Sequence, residues 1–378
     1  MTTTLRFVID QMIAPVPGPI GRYAADLARA TVATAPDGCL VDGVVSNSPA
    51  EDLERVRREV PGLAELVKAP IGRRELAAAW QLGVPTPAST GFIHSPSLFA
   101  PLRKHSRDEG TQITVTVHDL LPWTHPEALS GASVAWNKSM MKRARKHADA
   151  VVVPTHALAE QLGMIADFGD RIRVIPTAPR SGLDAGAADD RARRRRELGL
   201  PDAYLVVTGT LEPRKGVTDL LAALGRRDAP DVSLIVIGPE SWGEQHLASA
   251  ADEAGVAPER VRNLDDPEPA DLAAVLSGAI AYVAPSHAEG SGTSLIEAFS
   301  LGVPVIHSDI PAYAEVSAGA GLSVARGDDF VDELLGAITA VVDGPALADR
   351  LSIAGQDRAR AFTWTDSAER LWQLHADL

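Results

Sequence analysis

The chain carries a single cysteine, Cys39, in 378 residues. That excludes an internal disulfide framework and suits a reducing compartment. No stretch of roughly 18 apolar residues occurs, so no transmembrane helix is expected. The start, Met1-Thr2-Thr3-Thr4-Leu5-Arg6, lacks the basic and apolar runs of a secretory leader. A cytoplasmic location follows as the expectation. Excess positive charge is missing too, and a net charge of −14 argues against a nucleic-acid partner. Neither half carries a Gly-x-Gly-x-x-Gly fingerprint after its first strand, which removes support for an NAD-dependent oxidoreductase. No Ser-His-Asp order, metal-ligand cluster or cysteine nucleophile competes elsewhere. Neither a metal nor a cofactor is therefore expected.

What is present is a two-domain amount of chain with ordinary apolar content, 45%. Short β-branched runs alternate with longer helical stretches. Leu5–Ile9, Gln112–Val117, Ala150–Val153 and Val174–Pro176 read as strands, with helices over Gly21–Ala33, Ser133–His147 and Ala157–Ile165. The pattern restarts at Tyr204–Val207 and continues through Val232–Ile237, Ile280–Ala284 and Val303–Ile306. Alternation of this kind predicts α/β architecture with parallel sheets covered on both faces. The interruption, Thr177 to Ala188, is rich in Ala, Gly and Pro and reads as a linker. The organisation expected is a first Rossmann-like domain over 1–178, a linker over 179–190, and a second over 191–361. A terminal amphipathic helix follows over 362–378, with Trp364, Ala368, Leu371 and Leu374 along one side. The basic run Arg191–Arg196 reads as a solvated helix.

Two segments carry the chemistry. Glu289 and Glu297 bracket Gly290-Ser291-Gly292-Thr293-Ser294-Leu295-Ile296, directly after a strand. A helix start offers unpaired N–H groups and a positive dipole end, which suit a diphosphate. A carboxylate inside the helix repels phosphate but accepts hydrogen bonds from sugar or ribose hydroxyls. The second segment, Thr208-Gly209-Thr210-Leu211-Glu212-Pro213-Arg214-Lys215-Gly216, occupies the same place after its own strand. Arg214 and Lys215 put cations where a leaving nucleoside diphosphate gains charge, which favours the transition state over the ground state. A plain surface loop with two solvated cations is the alternative. In the first domain, Gly18-Pro19-Ile20-Gly21-Arg22-Tyr23 can approach a phosphate by its backbone. His118 ends a strand where a neutral imidazole can meet a sugar hydroxyl or a reacting oxygen; the alternative is a structural histidine held by Asp119. His287, two residues before Glu289, joins the candidates.

Together these segments resemble retaining glycosyltransferase family four. The resemblance rests on Glu289 to Glu297 with its flanks Pro285-Ser286 and Ala298-Phe299, on Gly209 to Gly216, on Val117-His118-Asp119, and on Gly18 to Tyr23. It extends to Val303 to Ile306 and Ile310 to Val316. Phe92 to Pro96 and Leu121 to Pro126 look like the bacterial mannosyltransferase-like branch. The resemblance covers nearly the whole chain. It implies a GT-B fold, with two facing Rossmann-like domains, an interdomain cleft and a last helix returning to the first domain. It also implies metal-independent transfer with retained anomeric configuration, by a front-face route. By the same resemblance Glu297 holds the ribose and Glu289 lies near the sugar hydroxyls. Gly290, Ser291, Gly292, Thr293 and Ser294 hold sugar and phosphate by their N–H groups, Lys215 and Arg214 hold the diphosphate, and His118 touches the donor sugar. The donor implied is GDP-mannose first and UDP-glucose second, with a saccharide or lipid-linked saccharide as the hydroxyl acceptor.

The chain departs from the family pattern in three places. Thr210 stands where many members carry an arginine. Ser291, Thr293 and Ser294 replace Phe, Leu and Pro. Pro19 replaces a second glycine and removes one N–H donor. A catalytically silent sugar-nucleotide-binding or partner-stabilising protein is therefore the second reading, and a sugar-nucleotide epimerase the third. Lys138, Lys142, Arg143, Arg145, Lys146 and His147 form a basic helical segment, read as a solvated face with peripheral contact to the inner membrane surface as the alternative.

Overall fold

The computed structural model describes residues 3–378 apart from 107, 109 and 185. The extreme start, Met1-Thr2, and Ala185 of the expected linker lie outside the described residues. The chain divides into two compact units, one comprising Met1–Thr177 with Thr363–Leu378 and the other Ala178–Phe362.

The first unit holds strands β1 (Thr3–Val8), β2 (Cys39–Val45), β3 (Leu66–Lys68), β4 (Phe92–Ser95), β5 (Gln112–Thr116), β6 (Ala150–Val153) and β7 (Ile172–Val174). They form one seven-stranded sheet in the order β3-β2-β1-β4-β5-β6-β7, with every pair parallel. Both faces are covered, as side-chain alternation along β6 shows. Val151 and Val153 join a buried group with Trp80, Phe99 and Leu162, while Ala150 and Val152 join another with Phe7, Tyr23 and Leu371. β2 is not among the strands read from the sequence because Asp42 and Gly43 interrupt its apolar run. A Cβ at Gly43 would meet the side-chain ends of Ile9 and Leu66, which would have to shift. The helix expected from Gly21 starts at Gly18. Pro19 therefore sits in its first turn, where the lost N–H had no intrahelical partner.

The terminal helix Trp364–Asp377 belongs to the first unit and packs along the helix Gly18–Ala33. Ala368, Leu371 and Leu374 are buried there, and Trp364 meets Tyr23 at 5.6 Å between ring centroids. Beneath it runs a line of polar groups. His375 Nε2 lies 3.2 Å from Thr114 Oγ1, which lies 2.9 Å from His94 Nδ1. His375 Nδ1 lies 3.1 Å from Gln112 Oε1. Burial pushes the His375 imidazole down to about 4, against a small opposing pull from Asp149, and pushes His94 well below its usual range.

The second unit holds β8 (Tyr204–Thr208), β9 (Ser233–Ile237), a small hairpin of β10 (Ser241–Trp242) and β11 (Gln245–His246), β12 (Val261–Leu264), β13 (Ala281–Ala284), β14 (Val305–Ser308) and β15 (Leu322–Val324). The main sheet is again all parallel, in the order β12-β9-β8-β13-β14-β15. Arg191–Arg196 lie on the helix Ala188–Glu197, which has no buried residue; Arg193 pairs with Asp190 and Glu197, and Arg194 with Asp190 and Asp271. The basic helix Gly131–His147 is not uniformly solvated, because Arg143 donates to the Leu102 carbonyl (Nε, 2.8 Å). Among the described residues no helix is long and apolar enough to cross a membrane.

The histidine line predicts acid sensitivity. The folded His375 titrates below its ordinary value of 6.5, so the unfolded chain takes the proton first. Stability is complete above 6.5, declines as pH falls, and levels off near 4. The full span corresponds to about 3 kcal/mol from this residue. Urea unfolding of wild type and His375→Gln at pH 7 and pH 4.5 checks this; the wild type should lose more stability on acidification than the variant.

Candidate functional site

In each main sheet the strand order reverses direction beside the first strand, between β1 and β4 and between β8 and β13. Loops leaving the carboxyl ends diverge at such a point and open a crevice. In the second unit those two loops are the glycine-bearing segments singled out above. After β8 comes Gly209, then the single turn Pro213–Lys215, then the helix Val217–Leu224. After β13 comes Pro285 to Gly292, then the helix Thr293–Ser300.

The two loops are locked together by backbone. The His287 N–H donates to the Arg214 carbonyl at 2.7 Å. Gly216 has φ 65° and caps the start of the helix Val217–Leu224, and a Cβ there would strike the Pro285 carbonyl. Only glycine allows both the left-handed turn and this approach. The close approach brings opposite charges together. Lys215 Nζ is in hydrogen-bond contact with Glu289 Oε1, and Arg214 Nη1 lies 3.5 Å from the same oxygen. Arg214 Nε donates to Glu212 Oε1 at 2.6 Å. Ser286 Oγ lies 3.5 Å from Glu289 Oε1 and receives the Tyr313 hydroxyl at 3.1 Å. Burial pushes the Glu289 carboxyl up, but Lys215 and Arg214 outweigh it, so the group sits below the usual carboxylate range and is ionised at neutral pH.

Glu297 lies in the helix Thr293–Ser300 and is 5% exposed. Both its oxygens are engaged by Arg180, Nε to Oε1 at 2.7 Å and Nη2 to Oε2 at 3.3 Å. Tyr282, on β13, lies among Ser294, Thr208 and both carboxylates; burial first, then Glu297 and Glu289, push its hydroxyl up to about 12 while hydrogen bonds to Ser294 and Thr208 oppose this. The polar replacement at Ser294 is thus turned onto Tyr282. Ser291 and Thr293 pair with each other, hydroxyl to hydroxyl at 3.0 Å, beside Gly292 (φ 62°) at the helix start. Gly290 is buried in the same loop. The Thr210 hydroxyl accepts from the Glu212 N–H at 3.1 Å, and Gly209 lies against the Lys215 stem. His287 departs from the cluster, since its Nε2 meets Asp219 Oδ2 at 2.7 Å and its ring stands 5.5 Å from Phe330.

In the first unit, Gly18 (φ 58°) and Gly21 open the helix after β1, and Gly21 packs too closely on Gln11 and Pro17 for a side chain. His118 follows β5. Asp119 does not hold it, because the Asp119 carboxylate accepts from the Leu121 N–H at 3.0 Å. Instead His118 Nε2 meets the Pro96 carbonyl at 2.7 Å, and the ring stands edge-on to Tyr23 at 4.5 Å. A carbonyl only accepts, so Nε2 carries the proton and Nδ1 keeps its lone pair. Burial lowers the imidazole below its ordinary value against weaker opposing pulls from Pro96 and Asp119, which keeps it neutral at pH 7.

Four residues of the two sites escape the sequence reading. Glu212 lay inside the recognised turn, and its role needed only the partner's geometry. Arg180 sits in the segment read as linker and carries no local signal. Asp219 and Tyr282 look like ordinary helix and strand residues.

Comparison with known proteins finds family matches in both units. The family model described as Glycosyltransferase Family 4 matches residues 20–178, and that described as Glycosyl transferases group 1 matches residues 189–358. The chain is 31% identical to the glycogen synthase of Mycobacterium tuberculosis over 69% of its own length and 62% of the relative's. It is 32% identical to the phosphatidyl-myo-inositol mannosyltransferase of Mycobacterium leprae over 43% of each. The matched stretch thus spans less than two thirds of these curated relatives. The structure of Anabaena Alr3699/HepE in complex with UDP and glucose superposes over the whole of both chains at a TM-score of 0.74 and 18% identity. Two parallel Rossmann-like sheets and such neighbours define a GT-B fold.

The glycine lock yields a direct test. Gly216→Ala imposes both a left-handed alanine and a backbone collision, so it should destabilise the second unit by about 1–3 kcal/mol. Urea titration followed by circular dichroism measures this; an unchanged midpoint contradicts the tight approach of the two loops.

Proposed function

Since the chain belongs to glycosyltransferase family four, we propose that it transfers a hexose from a nucleotide-diphosphate sugar to a hydroxyl acceptor with retained configuration. Mannose from GDP-mannose is the first choice and glucose from UDP-glucose the second. The observation that carries the reading is the meeting of Arg214, Lys215 and Glu289 at the crevice between β8 and β13. Lys215 and Arg214 would take the diphosphate, exchanging part of their pairing with Glu289 for phosphate oxygens. As the glycosidic bond breaks, charge grows on the leaving phosphate, and fixed cations in a water-poor pocket stabilise that charge most. Glu289, kept ionised, would accept hydrogen bonds from sugar hydroxyls, and the amides of Gly290 to Ser294 would face sugar and phosphate. Glu297 would accept from the ribose, with Arg180 fixing its orientation. The Nδ1 lone pair of His118 would accept from a donor-sugar hydroxyl. In the front-face route a leaving phosphate oxygen takes the acceptor proton as the acceptor oxygen attacks the anomeric carbon.

Lys215→Ala, Glu289→Gln and Glu297→Gln should each cut turnover by about 10²-fold with native circular dichroism. A thermal-shift series with GDP, UDP, GDP-mannose and UDP-glucose identifies the donor, because a native-state ligand at a hundredfold excess over its Kd adds about 2.7 kcal/mol. Full activity in Lys215→Ala overturns the assignment of the phosphate site. Donor binding with no sugar release, even to water, favours the silent reading.

A further inference from the structure

A polar stripe runs along β5 on the face that meets the terminal helix. Gln112, Thr114 and Thr116 alternate there with Ile113 and Val115, which belong to the apolar group of the other face. Thr114 and Thr116 are 0% and 1% exposed, and His94 on the neighbouring β4 is 0% exposed. The same two-residue spacing reaches His118 just past the strand. Apolar side chains would be buried here at lower cost, because each hydroxyl and imidazole needs a partner out of water.

The partners are present, and their donor roles run one way. His375 Nδ1 faces Gln112 Oε1, an acceptor, at 3.1 Å, so Nδ1 carries the proton and Nε2 the lone pair. Thr114 Oγ1 directs its proton to that Nε2 at 3.2 Å, with the Ile93 carbonyl a second acceptor at 3.3 Å, and accepts from His94 Nδ1 at 2.9 Å. His94 Nε2 then accepts from Thr116 Oγ1 at 3.4 Å, and Thr116 accepts from the Tyr23 hydroxyl at 3.5 Å. Burial pushes the Tyr23 hydroxyl up to about 12, against the opposing hydrogen bond to Thr116, so it stays a donor. Each role fixes the next, which makes the line a single unit from the terminal helix to Tyr23. The Tyr23 ring, 7% exposed, stands edge-on to His118 at 4.5 Å between centroids and to Trp364 at 5.6 Å. His118 has the Pro96 carbonyl on Nε2. One hydrogen bond leaves an imidazole able to swing about it; an aromatic ring packed against the imidazole removes that freedom.

We infer that Tyr23 is a positioning residue for His118, and that the terminal helix holds Tyr23 in place through Trp364 and the hydrogen-bonded line from His375. The inference rests on the proposed transfer, in which the His118 Nδ1 lone pair accepts from a donor-sugar hydroxyl. It gives the terminal helix a task beyond covering the sheet, since any displacement of Trp364 reaches His118 through one ring.

The full chain, labelled with 15N-histidine and free of nucleotide, is read by long-range 1H–15N NMR at pH 7, with His118→Gln identifying the His118 signals. A fixed neutral tautomer gives two well-separated ring-nitrogen shifts, and exchange between tautomers averages them. Wild type should show His118 as the Nε2–H form. Tyr23→Phe keeps the ring and should keep that pattern, whereas Tyr23→Leu should average it. Trp364→Leu leaves Tyr23 intact and should average it in the same direction; Trp364 is only half-buried, so this variant decides the matter should Tyr23→Leu fold poorly. The double variant should be no worse than Tyr23→Leu alone, because both act through one ring. Sugar release to water from GDP-mannose and UDP-glucose is measured alongside. Tyr23→Leu should lower kcat about 10- to 100-fold. Its donor KM should stay unchanged, since the proposed diphosphate and ribose contacts lie in the second unit, and Tyr23→Phe should retain most of the activity. A fixed Nε2–H form in Tyr23→Leu overturns the inference. Equal averaging in Tyr23→Phe and Tyr23→Leu overturns the ring as the positioning group, and an unchanged signal in Trp364→Leu overturns the part given to the terminal helix. The NMR readout needs no substrate: wild type that releases no sugar from either donor counts against the transfer reading and leaves the positioning of His118 to be decided by the ring-nitrogen shifts.

Discussion

The contact between Lys215 and Glu289 depends on strand order. The two residues are 74 positions apart, and nothing local draws them together. They meet because β8 and β13 are neighbours in the sheet while the chain between them builds the outer strands β9 and β12. Gly216 then lets the loop after β8 press on Pro285, and the ion pair forms over that backbone contact. Without the glycine the cations stand off. Without the cations, burial would act unopposed by them and push the Glu289 carboxyl up. Fold, charge state and candidate chemistry thus hang on one close approach.

This dependence explains what could be read from the sequence. β8, β9, β13 and β14 are buried, largely apolar runs flanked by glycine or proline, and a parallel-strand pattern identifies them directly. β3 and β15 have three residues each, too few for any period to show. β12, Val261-Arg262-Asn263-Leu264, is a polar edge strand whose Asn263 serves the Val236 and Gly238 carbonyls. Among site residues, those in the glycine-bearing turns were legible because the turn itself signals a helix start. The partners that set their state were not. Arg180 is indistinguishable from linker until its guanidinium is found on Glu297. His118 is legible as a strand-end histidine, but its neighbour in sequence, Asp119, turns to cap Leu121, and the carbonyl that fixes the ring comes from Pro96, 22 positions away.

The first unit shows the same economy of placement at its own switch point. Loops after β1 and β4 diverge there, and the widened edge carries Gln11, Ser97 and Phe99. Below the sheet edge, His94 and His375 are kept neutral by burial, and Thr114 links them. A neutral imidazole buried with hydroxyl partners keeps its hydrogen bonds without the desolvation cost of an ion. The terminal helix can therefore cover the sheet with polar groups in its contact face.

The pairing of both carboxylates bears on affinity. Glu297 has two hydrogen bonds from Arg180, and Glu289 has Lys215 and Arg214. Neither acid is an unsatisfied acceptor waiting for a hydroxyl. A ligand carrying negative phosphate and neutral hydroxyls must exchange partners: phosphate for carboxylate at the cations, hydroxyl for ammonium at Glu289. Each exchange returns only the difference between two strong contacts, so buried area overstates the affinity. The benefit is in geometry. Groups already held by opposite charge lose little freedom when a ligand arrives, and under the proposed transfer a cation released in part from Glu289 would follow charge as it moves onto the leaving oxygen. Under the proposed transfer, such a site would bind its ground state modestly and respond most strongly to charge that appears during reaction.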